Sequence, residues 1–554
     1  MEPSAAIERL DSGEVAQPAT DGGFGWIRKR WVLAAASVML FLLLFLAYAA
    51  QARTLAATSE SSAQALQAWN MLHGNVLLRG WTLSDVTFYT TEIPQYMLVE
   101  LATGLTGGVV HVAAGLTYAL LFVLAALLAA GRATGRDRLV SVLVAAGIML
   151  APTMRPGTYL LLSAPDHLGT QAPLLLAWLV LDRARACWWT PVAIGGLLAW
   201  AQVADVLVLY EGVVPLVVVC AIRMYRQRGP LRGQAYELSL LGAALASVAV
   251  ARLALALIHH AGGFTARSLM VGFATADDLS SGLWDRVQGV LQVFGADFFG
   301  MRFGAGVLIA AVHLIGLALV GWAVAAAVRR FYPESDFVVQ VVAVAIVVVL
   351  AGYLFSNKGA VNEIVGLLPL GAVLAGRVLG VRLLRAGLAP ALVVVLACCA
   401  GLLAFDATRP PARSDDQRAA SWLEAHHLTY GLAGYWEAGS VTAESGNRVQ
   451  VRPVRMFRHG LVTTPWETDA SWYDPRQHDA RFVIWAPARN CHNVCLSLPD
   501  LRATFGPPAA AYHVGSYRVL VWRKNLLTHV RSVSWCGYAW AWASKANPSP
   551  AGCR

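Results

Sequence analysis

Acidic and imidazole side chains stand together in a few stretches of an otherwise apolar chain. GWTLSDVTFYTTEIPQY (80–96) carries Asp85 and Glu92, seven residues apart. SAPDHLGT (163–170) carries Asp166 and His167. ADVLVLYEG (204–212) carries Asp205, Tyr210 and Glu211, and SNKGAVNE (356–363) carries Lys358, Asn362 and Glu363. A carboxylate within hydrogen-bond reach can take a proton from a hydroxyl. Together with an imidazole, carboxylates can also hold a hard divalent cation such as magnesium or manganese, with Asp85, Glu92, Asp166 and His167 as ligands. Seven residues are two helical turns, so a helix through this stretch would show both acids on one face, with Pro94 limiting its course. The residues around them are aromatic, β-branched and apolar, so the stretch is expected to pack against a core, where an acid needs a partner. Plainer roles stand beside these. The acids can be solvated loop residues, Asp166 can cap a helix beginning near Leu168, and Lys358 can snorkel to a membrane surface. Lys358, Arg155 and Arg302 are also candidates for binding a lipid phosphate.

What must position these residues is a membrane bundle. The chain is 57% hydrophobic and 14% charged, with mean hydropathy +0.55, against roughly 25% charged in a soluble domain. The net charge of +10 comes from arginines that flank apolar runs, which orients spans rather than binding nucleic acid. About eleven spans are expected, near 31–50, 109–130, 139–153, 168–182, 190–205, 207–223, 236–258, 305–328, 337–355, 361–380 and 388–405. Residues 1–30 read as a disordered cytoplasmic tail, and 31–50 as a signal anchor with an A-x-A-like site at its end.

Connections rich in Lys/Arg alternate with basic-poor ones. IRKR (27–30), GRATGRDR (131–138), DRAR (182–185), RMYRQRGPLRG (223–233), VRR (328–330) and GRVLGVRLLR (376–385) fall on one side. The stretches 51–108, 155–167, 205–212, 259–304 and 356–363 fall on the other. The rule that cytoplasmic loops are basic then gives a multi-pass plasma-membrane protein with its N-terminus cytoplasmic and its C-terminus extracytoplasmic. The acids listed above all lie in the extracytoplasmic set. Within 259–304, LWDRVQGVLQVFGADFFG (283–300) suits an amphipathic interfacial helix.

Past Phe405 the composition changes. TRPPARSDD (408–416) is a linker, 416–428 a short helix, and 431–436, 447–457, 480–486 and 516–523 are strand-like. This predicts a small extracytoplasmic α/β domain over 406–554 behind a membrane domain over 31–405. Trp436, Trp466, Trp472 and Tyr473 there either stack on sugar rings or pack a core. The aromatic stretch 534–544 suits a membrane interface. Cys491 and Cys495 (NCHNVC) are expected to form a disulfide, with a zinc site including His492 as the alternative. Cys187, Cys220, Cys398 and Cys399 read as small packing groups. No P-loop, nucleophile-elbow or zincin motif is present in the sequence.

The layout resembles the GT-C superfamily of integral membrane glycosyltransferases, in which a first long outer loop carries a catalytic acid, many spans follow, and a soluble domain often closes the chain. The likeness covers nearly the whole chain in layout. At residue level it rests on Asp85 and, beside it, Glu92 and the Pro-Asp-His of 165–167. There is no acidic doublet near the first span and no WWDYG-like segment, so the resemblance is to the superfamily. It implies transfer of a sugar from a polyprenyl-phosphate-linked donor to a glycan, lipid or protein acceptor of the cell envelope. Asp85 would be general base or metal-linked acid, Glu92, Asp166 and His167 its support, and Lys358, Arg155 or Arg302 the lipid-phosphate ligands. A lipid-linked glycan flippase and a non-catalytic membrane scaffold are the competing readings.

Overall fold

The computed structural model describes residues 22–150, 156–227, 231–266, 272–332, 335–357, 359–457, 460–487 and 496–533. In chain order the first elements are α1 (Gly22–Ala52), α2 (Ser59–Leu72), β1 (Trp81–Thr82), α3 (Glu92–Thr103), α4 (Gly108–Ala130), α5 (Gly135–Leu150), α6 (Gly157–Leu162), α7 (Leu168–Arg183) and α8 (Trp189–Ala204). A π-helical turn, Leu209–Val213, leads into α9 (Val214–Gln227). Then come α10 (Ala235–His260), α11 (Ala276–Val293), α12 (Ala305–Arg329), α13 (Phe337–Phe355), α14 (Leu367–Arg385) and α15 (Ala389–Ala407). The chain up to Leu44 forms one compact unit and the chain from Phe45 another.

Among the described residues seven helices are long and apolar enough to cross a membrane: α1 from Ala34, α4, α10, α12, α13, α14 with the turn before it, and α15. The other four expected spans are also helical but shorter. Helices α5, α7 and α8 have 16 residues each and α9 has 14. Sixteen residues rise about 24 Å, short of a hydrocarbon core of about 30 Å. Helix α14 is the hub, packed on α4, α5, α12 and α13. Small residues permit the approach: a Cβ on Gly376 would lie 2.6 Å from the Ser141 carbonyl oxygen of α5.

The connections sort into two groups. Arg132 donates to the Asp182 carbonyl at 2.8 Å, and Arg377 is buried between Asp182 and Asp336 at 2.7 and 2.5 Å. Arg223 donates to the Ser335 carbonyl and Arg226 to that of Phe331. These contacts join the basic connections to one another. The basic-poor set is joined separately. Thr82 bridges Thr265, Phe273 bridges Ser356, and Asn362 donates to Asp166 at 3.2 Å.

Helix α11 begins at Ala276, seven residues earlier than the expected amphipathic segment, because Thr275 and Asp278 form a capping box. Leu283, Trp284 and Val287 are exposed on one face. On the other, the Arg286 guanidinium caps the end of α13, donating to the carbonyls of Tyr353 (2.8 Å), Leu354 and Ser356 (2.9 Å).

The linker after α15 is pinned, since Ala412 donates its N–H to the Arg53 carbonyl at 2.8 Å. The elements that follow are α16 (Asp415–Ala425), β2 (Tyr430–Ala433), α17 (Tyr435–Glu444), β3 (Gln450–Phe457), β4 (Gly460–Thr463), β5 (Thr468–Asp469), β6 (Phe482–Trp485), α18 (Leu498–Phe505), β7 (Ala510–Val514) and β8 (Tyr517–Val521). Six strands form a mixed sheet in the order β4-β3-β2-β6-β8-β7, with β3, β2 and β6 parallel. Both faces are covered. Val441, Leu423 and Phe482 pack one side, and Leu501, Phe505 and Trp522 the other. The remaining pair, β1 with β5, joins the first outer loop to this region: Trp81 pairs with Asp469 and Thr82 with Thr468. The Trp81 and Trp472 rings meet edge to face at 4.9 Å, and Arg452 lies over Trp472 at 3.9 Å. Tyr473 donates to the Pro453 carbonyl at 2.5 Å. Trp472 and Tyr473 thus both make packing contacts within this region.

Candidate functional site

The Asp85 segment is pinned along its length. Leu83 N–H donates to the Thr265 carbonyl at 2.9 Å. The N–H groups of Thr87 and Phe88 both reach the Ala204 carbonyl, at 3.0 Å each, and the Thr87 hydroxyl reaches that of Val203 at 2.6 Å. Thr90 and Trp200 exchange side-chain-to-carbonyl bonds at 2.7 and 2.5 Å. The stretch thus docks on the end of α8, as its apolar texture leads one to expect. It is not helical, however. Helix α3 begins only at Glu92, and Phe88 has a left-handed backbone (φ 51°). The expected common face for Asp85 and Glu92 is overturned, because the local backbone bonds to α8 replace a helical ladder.

Glu92 instead points at the start of α7. Its Oε1 accepts from the Thr170 N–H at 3.2 Å and its Oε2 from the Thr91 hydroxyl. It is fully buried, and a Cβ on Gly169 would lie 2.7 Å from its carboxyl carbon. The carboxyl takes the position of a helix cap supplied from another segment. Asp166 does not cap α7. His167 stands at that position, with φ 54° and no side-chain cap bond. Asp166 accepts from Asn362, with its other oxygen 3.8 Å from His167 Nε2. His167 Nδ1 lies 2.7 Å from Asp205 Oδ2, and the other Asp205 oxygen accepts from the Leu207 N–H at 2.8 Å. Glu211 accepts from Gln171 of α7.

Two further acids join this group, and nothing in the sequence pattern marked them. Glu60 lies in the first turn of α2, where an acid reads as ordinary helix chemistry. Glu467 comes from the turn before β5, with φ 51°, and accepts from the Tyr435 hydroxyl. Left-handed backbone at a non-glycine residue costs on the order of 1–3 kcal/mol, and three cases gather here, Phe88, His167 and Glu467.

The electrostatics follow from burial of like charges. Burial pushes Asp85 up, with Asp205 and Asp166 adding to it and His167 opposing. Burial raises Glu92 to about 8 and, with the Asp166 charge, Glu60 to about 7. Burial and the charge of Glu60 hold Glu467 well above the carboxylate range. Burial disfavours the charged His167 ring, but Asp166 and Asp205 outweigh it and raise its pKa. Acids thus gather near the His167 ring, whose charged form Asp166 and Asp205 favour. Asp85 and Glu60 are half-buried, and neither carboxyl has a side-chain hydrogen bond among the described residues.

Lys358, Arg155, Cys491 and Cys495 lie outside the described residues, as do His492 and 534–544. Arg302 is exposed in the segment before α12. No group of three His, Cys, Asp or Glu among the described residues is placed to hold a metal ion. Glu92 is turned to α7 and His167 Nδ1 to Asp205, so the expected ligand set of Asp85, Glu92, Asp166 and His167 does not converge on one point.

The chain is similar to two solved structures, among others. One is the Archaeoglobus fulgidus oligosaccharyltransferase in complex with Zn and sulfate, 12% identical, with TM-score 0.40 over 79% of this chain and 67% of that one. The other is ArnT from Cupriavidus metallidurans in the apo state, 14% identical, with TM-score 0.38 over 88% and 98%. No family model and no curated protein matches the chain.

Proposed function

We propose that this chain is an integral membrane glycosyltransferase that moves a sugar from a polyprenyl-phosphate-linked donor to an extracytoplasmic acceptor, with Asp85 as general base. The observation that carries the reading is the half-buried Asp85 carboxyl, without a side-chain hydrogen bond among the described residues, on a backbone pinned to α8 and within electrostatic reach of His167. A proton acceptor on a rigid support beside a buried positive charge suits transfer that generates phosphate as leaving group. A polyprenyl-linked donor stays in the bilayer, which accounts for an active site at the end of an apolar helix bundle.

In this reaction Asp85 takes the acceptor hydroxyl proton. The oxygen attacks the anomeric carbon, the carbon–oxygen bond to the donor phosphate breaks, and polyprenyl phosphate leaves with its electron pair. His167, held by Asp205, offsets the negative charge that develops. Glu92 fixes the start of α7, and with it His167, so it is a positioning residue rather than a second base. Lys358, Arg155 and Arg302 keep the lipid-phosphate role assigned from sequence. The proposed ligand set does not fit a divalent cation, so no step is routed through one. The arginine distribution supports a multi-pass plasma-membrane protein with its C-terminus outside.

The test compares envelope glycans and lipid-linked sugars in a wild-type strain, a deletion, and the deletion complemented with Asp85→Asn. Normal membrane levels of the variant, together with a missing glycan and accumulated donor, are expected. A wild-type profile from Asp85→Asn overturns the assignment and favours the scaffold reading.

A further inference from the structure

We infer that α11 and the aromatic turn behind it are seated in the outer surface of the lipid bilayer, with Leu283, Trp284 and Val287 buried among lipid, whatever reaction the site performs. At helical spacing the residues of α11 fall into three sectors. Arg286, Gly289 and Val293 are buried and form the sector against the protein. There Arg286 donates to carbonyls at the end of α13, and a Cβ on Gly289 would collide with the Tyr353 hydroxyl. Leu283, Trp284 and Val287 form the second sector, and all three are exposed. Asp277, Ser281 and Asp285 form the third, also exposed. A helix between a protein core and water needs two kinds of face. One at the meeting of protein, hydrocarbon and water needs three, and α11 has them.

Where α11 is fixed decides what covers the second sector. Both α12 and α13 are long and apolar enough to cross a membrane. Arg286 clamps α11 to the residues at which α13 ends, so the helix lies level with the boundary of the hydrocarbon. Beyond α11 the buried Asp297 carboxyl accepts from Gln288 at 2.9 Å, from Gln292 at 3.2 Å and from the Phe299 N–H at 3.2 Å. This turn sets Phe299 edge to face with Trp284 at 4.7 Å and stacks Phe298 on Phe299 at 4.5 Å. Both phenylalanines are exposed, and so is Phe303, two residues before α12. The apolar sector is thus continuous along the chain with a span, and its aromatic content suits the interfacial layer. The sole basic residue of α11 is the buried Arg286, so apolar area holds the helix to lipid rather than attraction to anionic headgroups. Helix α11 also packs on α6 and on the turn Val361–Ile364, whose Asn362 donates to Asp166. The bilayer surface therefore runs beside the elements that hold Asp166.

The experiment places the photocrosslinker p-benzoylphenylalanine at position 283, 287 or 299, and in the acidic sector at 281 or 285, one position per variant. The full chain is irradiated in phosphatidylcholine nanodiscs. Peptide mass spectrometry then reads phospholipid adducts, and gel electrophoresis reads chain-to-chain adducts. About tenfold more phospholipid adduct is expected at 283, 287 and 299 than at 281 and 285. Equal adducts in the two sectors, or none at 283 and 287, overturn the seat. A chain-to-chain adduct at 283 or 287 in place of lipid also overturns it and gives the face to a second copy. All five replaced side chains are exposed, and where one variant fails to enter nanodiscs the other positions of its sector decide.

Discussion

Replacing Asp205 by Asn removes one charge and keeps the side-chain shape. In the wild type, one Asp205 oxygen accepts from Leu207 and the other lies 2.7 Å from His167 Nδ1. With charge centres about 4 Å apart and an effective dielectric near 20, the lost attraction is about 4 kcal/mol, and the imidazole pKa falls. The geometry adds to this. If the Asn oxygen keeps Leu207, its amide group faces Nδ1 and can only donate, so the ring must give up its Nδ1 proton to accept. The folded His167 pKa lies above the unfolded value, so the pair stabilises the fold below about pH 6.5, and that contribution is lost as pH rises through the folded value. The assay is 15N NMR of histidine-labelled protein in nanodiscs, with the His167 signal among 13 histidines assigned by subtracting a His167→Gln spectrum. Wild-type His167 is expected to remain an imidazolium at pH 8, and the variant to be neutral by pH 7. A neutral wild-type ring at pH 7, or a charged ring in the variant, refutes the claim that Asp205 holds the proton.

Gly169→Ala puts a methyl group 2.7 Å from the Glu92 carboxyl carbon, so the carboxyl must leave the Thr170 N–H. The expected loss is about 1–3 kcal/mol, read as a lower melting temperature in nanodiscs; unchanged melting shows that Glu92 does not secure α7. Asp416 is raised from 3.8 to about 6 by burial, against hydrogen bonds from Tyr517 and Ser440. Its folded value exceeds the unfolded one, so stability present in acid is lost as pH climbs through that window, about 3 kcal/mol at neutral pH. Asp416→Asn should therefore slow hydrogen exchange in β8 at pH 7.5 and leave it unchanged at pH 3; equal exchange at both pH values refutes the burial cost.

Much of the scaffold was legible because its causes are local. Apolar runs long enough for a bilayer marked the helices, and arginine placement separated the two sets of connections. Strand-like composition at 447–457 and 516–523 marked strands of the C-terminal sheet. The aromatic, β-branched texture around Asp85 announced that this loop packs. Helical spacing failed between Asp85 and Glu92 because bonds to the Ala204 carbonyl outcompeted a local ladder. Capping by Asp166 failed because the α7 terminus receives its carboxylate from Glu92, 78 residues away in the chain.

Residue types and spacing alone determined that this is a membrane chain and which connections carry acids. Tertiary structure alone decided which of these acids find side-chain or helix-end partners. Glu92 and Glu211 are engaged by α7 and Asp205 by His167, while the half-buried carboxyls of Asp85 and Glu60 have no side-chain hydrogen bond among the described residues. It also brought Glu467 to the site from the far end of the sequence. The reason is physical: an acid's partner and exposure depend on which distant segments pack over it, and no local periodicity encodes that.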